Sequence, residues 1–263
     1  FLLYGLFDGY IILPAPSWVS YAPQAIIGRN KIQVIDTNRE NNWFPTGRDI
    51  EEIILKDKNK NSILLLNSPN NPSGQICENL EEISKIAKKY NLTILSDEIY
   101  SELCFEKDFK SISNYCPEKT IISTGLSKWC GAGGWRLGYF LIPNSLSNLR
   151  DSINVLASET FSSVSSPIQY AAISAYANDH SDYINESTKI LKAVGTYVYE
   201  SLKSNKVNIN KPQGGFYLMP EFLNKSFSTS SEMCNHLLKE TGVALLPGSD
   251  FGFSKKKMLA RLS

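Results

Sequence analysis

The sequence predicts an α/β fold in which helices cover both faces of a mostly parallel sheet. Continuous apolar runs at residues 62–66, 92–96 and 120–124 are typical of strands buried on both faces. Between the first two runs, residues 78–90 repeat apolar side chains at helical spacing, which predicts a β-α-β unit with parallel strands. Because turn-forming or charged residues follow each run, we expect a ligand site where these strands end.

The remaining elements of this part are shorter. Residues 1–7 are apolar, lack an initial methionine and have the character of a buried helix end, so we expect the chain to begin within a domain. Further strands are predicted at residues 10–13, 31–35 and 137–142, and a short helix at residues 49–55. Proline follows the first and the last of these strands and limits how far each can continue.

Beyond residue 146 the pattern changes to helices and short strands. Helices are predicted at residues 167–176, 183–202 and 231–241, and short strands at residues 215–219 and 243–246. Gly242 is expected to end the last of these helices. We therefore predict a large domain over residues 1–180 and a smaller α+β C-terminal domain over residues 181–263.

Composition argues against several classes of function. The formal net charge of +1, from 27 basic and 26 acidic side chains, argues against nucleic acid or an anionic membrane surface as a partner. No apolar stretch is long enough to span a bilayer. Five scattered cysteines without CxxC spacing are expected to be reduced thiols of a cytoplasmic protein. With two histidines in unrelated contexts, neither a metal site nor a Ser-His-Asp triad is predicted.

One loop carries the residues most indicative of chemistry. Ser127 and Lys128 directly follow the run at residues 120–124, and Arg136 comes eight residues after Lys128 among four glycines. Glycines allow a ligand to approach the backbone closely, so two cations in such a loop suggest a bound anion. A solvated loop with two ordinary surface cations is the alternative interpretation of this stretch alone.

Asn71 and Asp97 follow the two neighbouring strands and favour the first interpretation. The topology of a parallel sheet brings them to the same edge as Lys128. A lysine can form a Schiff base with an aldehyde, and a carboxylate can pair with a pyridinium nitrogen. With an arginine for a phosphate group, this set meets the requirements of pyridoxal 5′-phosphate (PLP).

Six motifs occur in the order found in the class I and II PLP-dependent aminotransferases of fold type I, and the sequence resembles this family over nearly its whole length. The motifs lie at residues 71–74, 97–100, 127–128 with 134–138, 214–217, 247–248 with 251–252, and 261–263. The resemblance implies the PLP-transferase fold, with a mostly parallel sheet between helices in the large domain. It also implies PLP as the cofactor.

The resemblance implies three catalytic residues. Lys128 matches the lysine that holds PLP as a Schiff base and moves a proton between the substrate Cα and the cofactor. Asp97 matches the carboxylate that pairs with the pyridine nitrogen. Tyr100, together with Asn71, matches the residues that hydrogen-bond the 3′ oxygen of the cofactor.

Four further residues complete the implied site. Arg136 and Ser127 match the residues that bind the cofactor phosphate, and Trp18 matches the aromatic residue that stacks on the cofactor ring. Arg261 matches the arginine that receives the substrate α-carboxylate, and Asn71 and Trp18 are expected beside the substrate.

The sequence also departs from the family pattern. Gly125 stands where many members have a serine that donates to the phosphate. The family's N-terminal phosphate loop and arm precede the first residue of this sequence. Further elements of the small domain follow its last arginine. The phosphate site is therefore expected to be incomplete in these residues.

The function implied is transamination between an L-amino acid and a 2-oxo acid, in a cytoplasmic homodimer whose active site lies at the subunit interface. Three alternatives stay open: a cysteine-conjugate β-lyase, a C-C bond-forming synthase on the same fold, and a truncated non-catalytic homologue. Trp18, Tyr21, Phe216 and Tyr217 favour aromatic or medium-sized apolar substrates. Neither nucleic acid nor a membrane is expected as a partner.

Overall fold

A six-stranded sheet forms the centre of the computed structural model, which describes residues 2–57, 61–106, 108–223 and 226–263. Its strands are β1 (Tyr10–Ala15), β2 (Lys31–Asp36), β3 (Ser62–Asn67), β4 (Thr93–Asp97), β5 (Thr120–Gly125) and β6 (Gly138–Leu141). Their order is β2-β1-β3-β4-β5-β6. Strands β1 to β5 run parallel and β6 pairs antiparallel with β5, so the sheet is mostly parallel as predicted.

Helices cover both faces of this sheet, which confirms the predicted architecture. They are α1 (Leu2–Gly5), α2 (Tyr21–Ile27), α3 (Gly47–Leu55), α4 (Leu80–Lys89), α5 (Ser147–Thr160), α6 (Ser166–Ala177), α7 (Ser181–Leu202) and α8 (Ser230–Thr241). Successive residues of β3 point to opposite faces. Leu64 and Leu66 pack with α3 and α4, whereas Ile63 and Leu65 pack with α1, α2 and α5. The β3 sequence is therefore apolar throughout because both of its faces are buried.

The carboxyl ends of β3, β4 and β5 meet at one edge of the sheet. Asn67 lies beside Asp97, which in turn lies beside Ser123 on β5. The Asn67 amide donates to the Asp97 carbonyl at 2.9 Å, and its side-chain oxygen accepts from the backbone N–H of Asn71 at 2.8 Å. A buried asparagine thus connects the loop that follows β3 to the end of β4.

The C-terminal part is built from α7, α8 and two small antiparallel pairs of strands. These strands are β7 (Val207–Asn208) with β8 (Glu221–Phe222), and β9 (Leu246–Pro247) with β10 (Ala260–Arg261). Gly242 ends α8 in the left-handed conformation, as predicted. The break between Ala177 and Ser181 falls at the predicted boundary, and the division into two domains stays a prediction.

Two predicted strands are corrected by the structure. Residues 215–219 do not form a strand, because Gly215 has a φ of 67° and Leu218 makes only an isolated bridge to Leu262. The apolar pattern there reflects burial of irregular backbone. Of residues 243–246, only the last belongs to a strand, β9. For the region of α2 the sequence indicated no more than a loop or a helix start at residues 17–21, because Ile26 and Ile27 face solvent and the apolar pattern is broken.

Three further properties concern the described residues. None of their helices combines the length and the apolar character that crossing a bilayer requires. They hold no group of His, Cys, Asp and Glu side chains suited to a metal ion. The thiols of the five cysteines form no disulfide.

Candidate active site

The loop after β3 holds Asn71 in a buried position at the sheet edge. Gly74 shapes this loop, since its φ of 68° is in the left-handed region and a Cβ there would collide with the Tyr217 carbonyl. The side-chain oxygen of Asn71 accepts a hydrogen bond from Arg261 at 3.0 Å. A residue of the loop between β3 and α4 thus contacts a residue near the C-terminal end of the chain.

Asp97 ends β4 and is held by two donors. The Tyr21 hydroxyl donates to its Oδ2 at 2.5 Å, and the backbone N–H of Ile99 donates to its Oδ1 at 3.3 Å. Burial raises the pKa of the Asp97 carboxyl, and these hydrogen bonds and the Lys128 ammonium oppose that rise. A cationic group bound against Asp97 would favour the ionised carboxylate further.

Tyr21 is the first residue of α2, and Trp18 precedes it by three residues. Their rings meet edge to face at 5.2 Å, and Trp18 is 36% exposed. Tyr21 is buried, and burial followed by the negative charge of Asp97 raises the pKa of its hydroxyl well above the ordinary range. Tyr21 therefore remains a proton donor to Asp97, and its ring contacts that of Trp18.

Tyr100 follows Asp97 by three residues and is buried. Its hydroxyl lies 3.0 Å from the hydroxyl of Tyr217, and its ring also meets Phe216 edge to face at 5.5 Å. The pKa of Tyr100 is raised above its ordinary value, mainly by burial. The hydroxyl is therefore protonated at neutral pH and available as a donor.

Lys128 lies in the loop after β5, over the rings of two aromatic residues. Its Nζ is 5.6 Å from the centre of the Tyr100 ring and 5.5 Å from that of Phe216. Ring faces attract a cation and exclude water from one side of it. The Lys128 charge also lowers the pKa of Asp97, which shows that the two groups share one electrostatic environment.

Arg261 ends β10 with its guanidinium between two aromatic rings. The guanidinium carbon lies 4.6 Å from the Tyr217 ring centre and 5.2 Å from that of Phe251. One terminal nitrogen donates to Asn71, whereas the buried Nε has no hydrogen-bond partner among the residues that the structure describes. An unpaired buried N–H is costly, so this group is prepared for an acceptor such as a carboxylate.

Ser127 and Arg136 occupy a different environment. Ser127 is half-buried next to Lys128, whereas Arg136 is exposed and donates to the Gly133 carbonyl of its own loop at 2.6 Å. Arg136 has a φ of 57° in the left-handed region. The structure thus brings Asn71, Tyr100 and Arg261 into one side-chain network, and Arg136 lies on the outer part of the glycine-rich loop.

The structure gives a physical reason for Gly125. A Cβ at this position would lie 2.6 Å from the Leu137 carbonyl and 2.7 Å from the Gly138 Cα. Both atoms belong to the backbone that leads into β6, so they cannot move aside without disturbing the sheet. Close pairing of β5 with β6 therefore excludes the serine found in other family patterns.

Two residues of this network had no individual role in the motifs. Tyr21 contacts Asp97 across 76 residues of sequence, and Tyr217 contacts Tyr100 across 117 residues. Tyr217 stands in a recognised motif, and Tyr21 follows Trp18 by three residues, which is the only sequence signal for its position. Their roles come from contacts that only the folded chain reveals.

The donor set fits PLP on the side of its ring. An amine, a carboxylate held by hydrogen bonds and a protonated phenol converge at one sheet edge, at Lys128, Asp97 and Tyr100. Ser127 and Arg136 offer a hydroxyl and a guanidinium for the phosphate. This arrangement can bind an aromatic cofactor with an anionic tail beside a carboxylate-containing substrate.

Comparison with known proteins agrees with this geometry. The family described as aminotransferase class I and II matches residues 2–263. An aspartate aminotransferase of Thermotoga maritima is 34% identical over 245 residues, which are 92% of this chain and 61% of the relative. An aspartate aminotransferase of a Bacillus species is also 34% identical, over 92% of this chain and 63% of its own length. This chain thus spans less than two thirds of these relatives.

Solved structures give the same result. The Thermotoga maritima aspartate aminotransferase superimposes with a TM-score of 0.86 at 31% identity, covering 100% of this chain and 68% of the other. An alanine aminotransferase from Pyrococcus furiosus superimposes with a TM-score of 0.90 at 31% identity, covering 99% of this chain and 67% of its own. The fold is therefore the same over the whole of this chain.

Proposed function

Because this chain belongs to the aminotransferase class I and II family, we propose that it transfers an amino group from an L-amino acid to a 2-oxo acid with PLP as cofactor. The observation that carries the proposal is the buried, unpaired Nε of Arg261 at the sheet edge where Lys128 and Asp97 meet. A carboxylate-binding group, an amine and a carboxylate in one place suit an amino acid bound beside a pyridine ring.

PLP, when bound, supplies an electron sink for the pair of electrons left when the substrate Cα loses its proton. In this proposal, Asp97 holds the protonated pyridine nitrogen. Tyr21 keeps that carboxylate in place and stabilises its charge through the 2.5 Å hydrogen bond. The half-exposed Trp18 lies against Tyr21 and would cover a face of the ring.

Lys128 is proposed to anchor the cofactor and, once released by the substrate, to carry the proton that leaves Cα. The rings of Tyr100 and Phe216 keep its Nζ near the reacting atoms and shield it from water on one side. Tyr100 and Asn71 are proposed to hydrogen-bond the 3′ oxygen. A lysine held in this way can both give and take a proton without leaving the site.

Arg261 is proposed to orient the substrate. Its guanidinium cannot rotate freely between Tyr217 and Phe251, and Asn71 holds one terminal nitrogen. A carboxylate that accepts from the remaining N–H groups would therefore be fixed in one plane. This fixes the direction of the Cα–H bond and supports cleavage by proximity. Trp18 and Asn71 are proposed to lie beside the same substrate.

Ser127 and Arg136 are proposed to bind the cofactor phosphate. The chain is proposed to divide into a large domain over residues 1–180 and a small domain over residues 181–263.

We also propose a cytoplasmic homodimer with the active site at its interface. Large apolar side chains are exposed on α6 and α7, including Tyr170, Ile173 and Tyr197 at 63–75% exposure. A second subunit covering such a surface would remove it from water. Light scattering of the purified protein measures this oligomeric state.

The proposed function is tested by combining purified protein with PLP and amino acids in half-reactions. We expect a visible absorption band from lysine-bound PLP, its loss on adding amino donors, and release of the 2-oxo acid. Lys128→Ala should abolish the band and reduce transfer by a factor of at least about 10³. Lys192→Ala, on the surface of α7, is the matched control and should change neither.

Other outcomes would replace the proposal. Release of pyruvate and ammonia from a cysteine conjugate, without transfer to any 2-oxo acid, would instead indicate a β-lyase. Formation of a C-C bond from an amino acid and an acyl donor would indicate a synthase. A protein without a visible band, in which Lys128→Ala behaves as the unmodified chain, would indicate a non-catalytic homologue.

A further inference from the structure

Tyr217 lies between two residues of the proposed site and contacts both. Its hydroxyl oxygen is 3.0 Å from that of Tyr100, and the two rings meet edge to face at 5.7 Å. The Arg261 guanidinium carbon lies 4.6 Å from the centre of its ring. Tyr217 is only 6% exposed, so water competes little for these contacts. One side chain therefore connects the residue proposed for the cofactor oxygen with the residue proposed for the substrate carboxylate.

The hydrogen bond between the Tyr100 and Tyr217 hydroxyl groups can have either of two directions. Each carries one proton, so within the pair one group donates and the other accepts. If Tyr100 donated to Tyr217, its only proton would be turned away from the phenolic oxygen of PLP. If Tyr217 donates, the Tyr100 oxygen is satisfied as an acceptor and its own proton is free for the cofactor.

We infer that Tyr217 is a positioning residue that donates its hydroxyl proton to Tyr100 and thereby directs the Tyr100 proton toward the phenolic oxygen of PLP. The inference rests on the proposed function and goes beyond the motif in which Tyr217 stands. The same side chain supports the Arg261 guanidinium. Carboxylate binding at Arg261 and hydrogen bonding at the cofactor are thereby joined through one residue.

The charges in this part of the site give the coupling a direction. The Arg261 cation lowers the pKa of the Tyr100 hydroxyl, against the larger effect of burial. A bound carboxylate neutralises that cation, so the Tyr100 hydroxyl becomes a weaker acid and a weaker donor. The cofactor oxygen then keeps more negative charge and holds the proton that it shares with the Lys128 nitrogen more firmly.

The test measures the pH midpoint of the visible absorption band of the PLP-loaded protein. Tyr217→Phe keeps the ring under Arg261 and removes only the hydroxyl. Without the hydrogen bond from Tyr217, the Tyr100 hydroxyl is a weaker donor to the cofactor oxygen, so we expect the midpoint to rise by about half a pH unit. We also expect a smaller response of the midpoint to 3-phenylpropionate, a carboxylate that has no amino group and cannot react.

Two comparisons separate positioning from a general structural effect. Tyr90, which follows the last residue of α4, donates its hydroxyl proton to Glu51 of α3. Tyr90→Phe removes this hydroxyl and should leave the midpoint unchanged. In a Tyr100→Phe background, adding Tyr217→Phe should have no further effect, because the residue it acts through is gone. A full additional shift in that background would overturn the inference.

A third variant preserves both the ring and the hydroxyl. Tyr217 replaced by 3-fluorotyrosine is a more acidic phenol and therefore a stronger donor, so the midpoint should fall. If Tyr217→Phe does not fold, the midpoint of the 3-fluorotyrosine variant still tests the inference. A midpoint that is unchanged, or that rises with 3-fluorotyrosine, would contradict the proposed direction of the hydrogen bond.

The outcomes distinguish this inference from the proposed function. If the unmodified chain binds PLP and shows the expected midpoint shifts but transfers no amino group, the inference holds and transamination is wrong. If amino-group transfer occurs and the pH midpoint is the same in the Tyr217 variants as in the unmodified chain, the inference is wrong and transamination holds. A chain without any PLP band would overturn both.

Discussion

The two sides of the candidate site differ in how firmly the chain holds them. On the ring side, Arg261 donates to Asn71 and stacks on Tyr217, which pairs with Tyr100. Asp97 is held separately by a hydroxyl and a backbone N–H. These groups are buried or half-buried, and most of their contacts come from other elements of the fold. The ring side is therefore preorganised before any ligand arrives.

The proposed phosphate side, which consists of Ser127 and Arg136, is held by contacts within its own loop. Arg136 is exposed, and its guanidinium bonds to the Gly133 carbonyl of the same loop. Binding an anion there requires the guanidinium to leave this carbonyl and to lose side-chain freedom. The residues proposed for the ring and the substrate carboxylate are thus fixed by contacts between distant parts of the fold. The proposed phosphate binding at Arg136 would require its loop to reorganise.

Among the substitutions proposed for comparing the two sides, we expect Arg261→Lys on the ring side to have the largest effect. A lysine keeps the charge but loses the planar fork that lies between two rings and bonds to Asn71. We expect kcat/KM for amino donors to fall about 100-fold, equivalent to about 2.7 kcal/mol. Steady-state kinetics measure this loss. Arg39→Lys, an exposed arginine paired with Glu40, should behave as the unmodified chain. Equal losses in both variants would show that the geometry of Arg261 is unimportant.

Gly125→Ser tests whether the phosphate side can be completed from within the sheet. The new Cβ would meet backbone atoms at 2.6 and 2.7 Å, so we expect a loss of about 2 kcal/mol in the free energy of unfolding. Urea titration measures it. Gly134→Ser is the control, since apart from Gly134 and its chain neighbours no described residue has an atom within 4 Å of a Cβ there. A stable Gly125→Ser protein that binds PLP more tightly would refute this explanation of the glycine.

Asp97→Asn tests how much the buried, ionised carboxyl of the ring side lowers the free energy of unfolding. Burial raises the pKa of the folded Asp97 carboxyl, so its ionisation destabilises the cofactor-free fold as pH rises above the unfolded pKa of about 3.9. We expect the variant to be more stable than the unmodified chain at pH 7. That advantage should disappear when both forms are compared below the unfolded pKa.

The same substitution should weaken PLP binding about tenfold, since a neutral amide attracts the protonated ring less. Urea titrations over a pH series and PLP titration of the cofactor-free protein measure the two effects. Asp151→Asn, exposed on α5, is the control for both. If the stability advantage of Asp97→Asn over the unmodified chain were no larger at pH 7 than below the unfolded pKa, the role of burial at Asp97 would be contradicted.

These predictions rely on parts of the molecule that the sequence could indicate to different degrees. Strands β3, β4 and β5 were predictable because they lie inside the sheet and have mostly buried, apolar central residues. Their order along the chain and the rule for parallel sheets then predicted one site edge. Lys128 and Asp97 follow from that edge, because Asp97 is the last residue of β4 and Lys128 lies three residues after the end of β5.

The side-chain network within that edge was not predictable in this way. Tyr21 reaches Asp97 from a helix whose outward face carries Ile26 and Ile27, so periodicity does not mark it. Tyr217 lies on irregular backbone that alternates like a strand, which produced a wrong strand at residues 215–219. In both cases the decisive partner is far away in sequence, and local patterns carry no information about it.

Arg136→Ala tests the phosphate side with the smallest expected effect. The guanidinium is exposed, so its attraction to a phosphate is weakened by water and by salt. We expect the dissociation constant of PLP to rise about fivefold at low ionic strength, equivalent to about 1 kcal/mol, and less in 0.5 M salt. Arg150→Ala, an exposed arginine of α5, is the control and should not change PLP affinity. Because Arg136 makes no contact with Asp97, Tyr100 or Tyr217 among its described hydrogen bonds, the pH midpoint of the visible band should stay constant. A shifted midpoint would show that the two sides of the site are coupled after all.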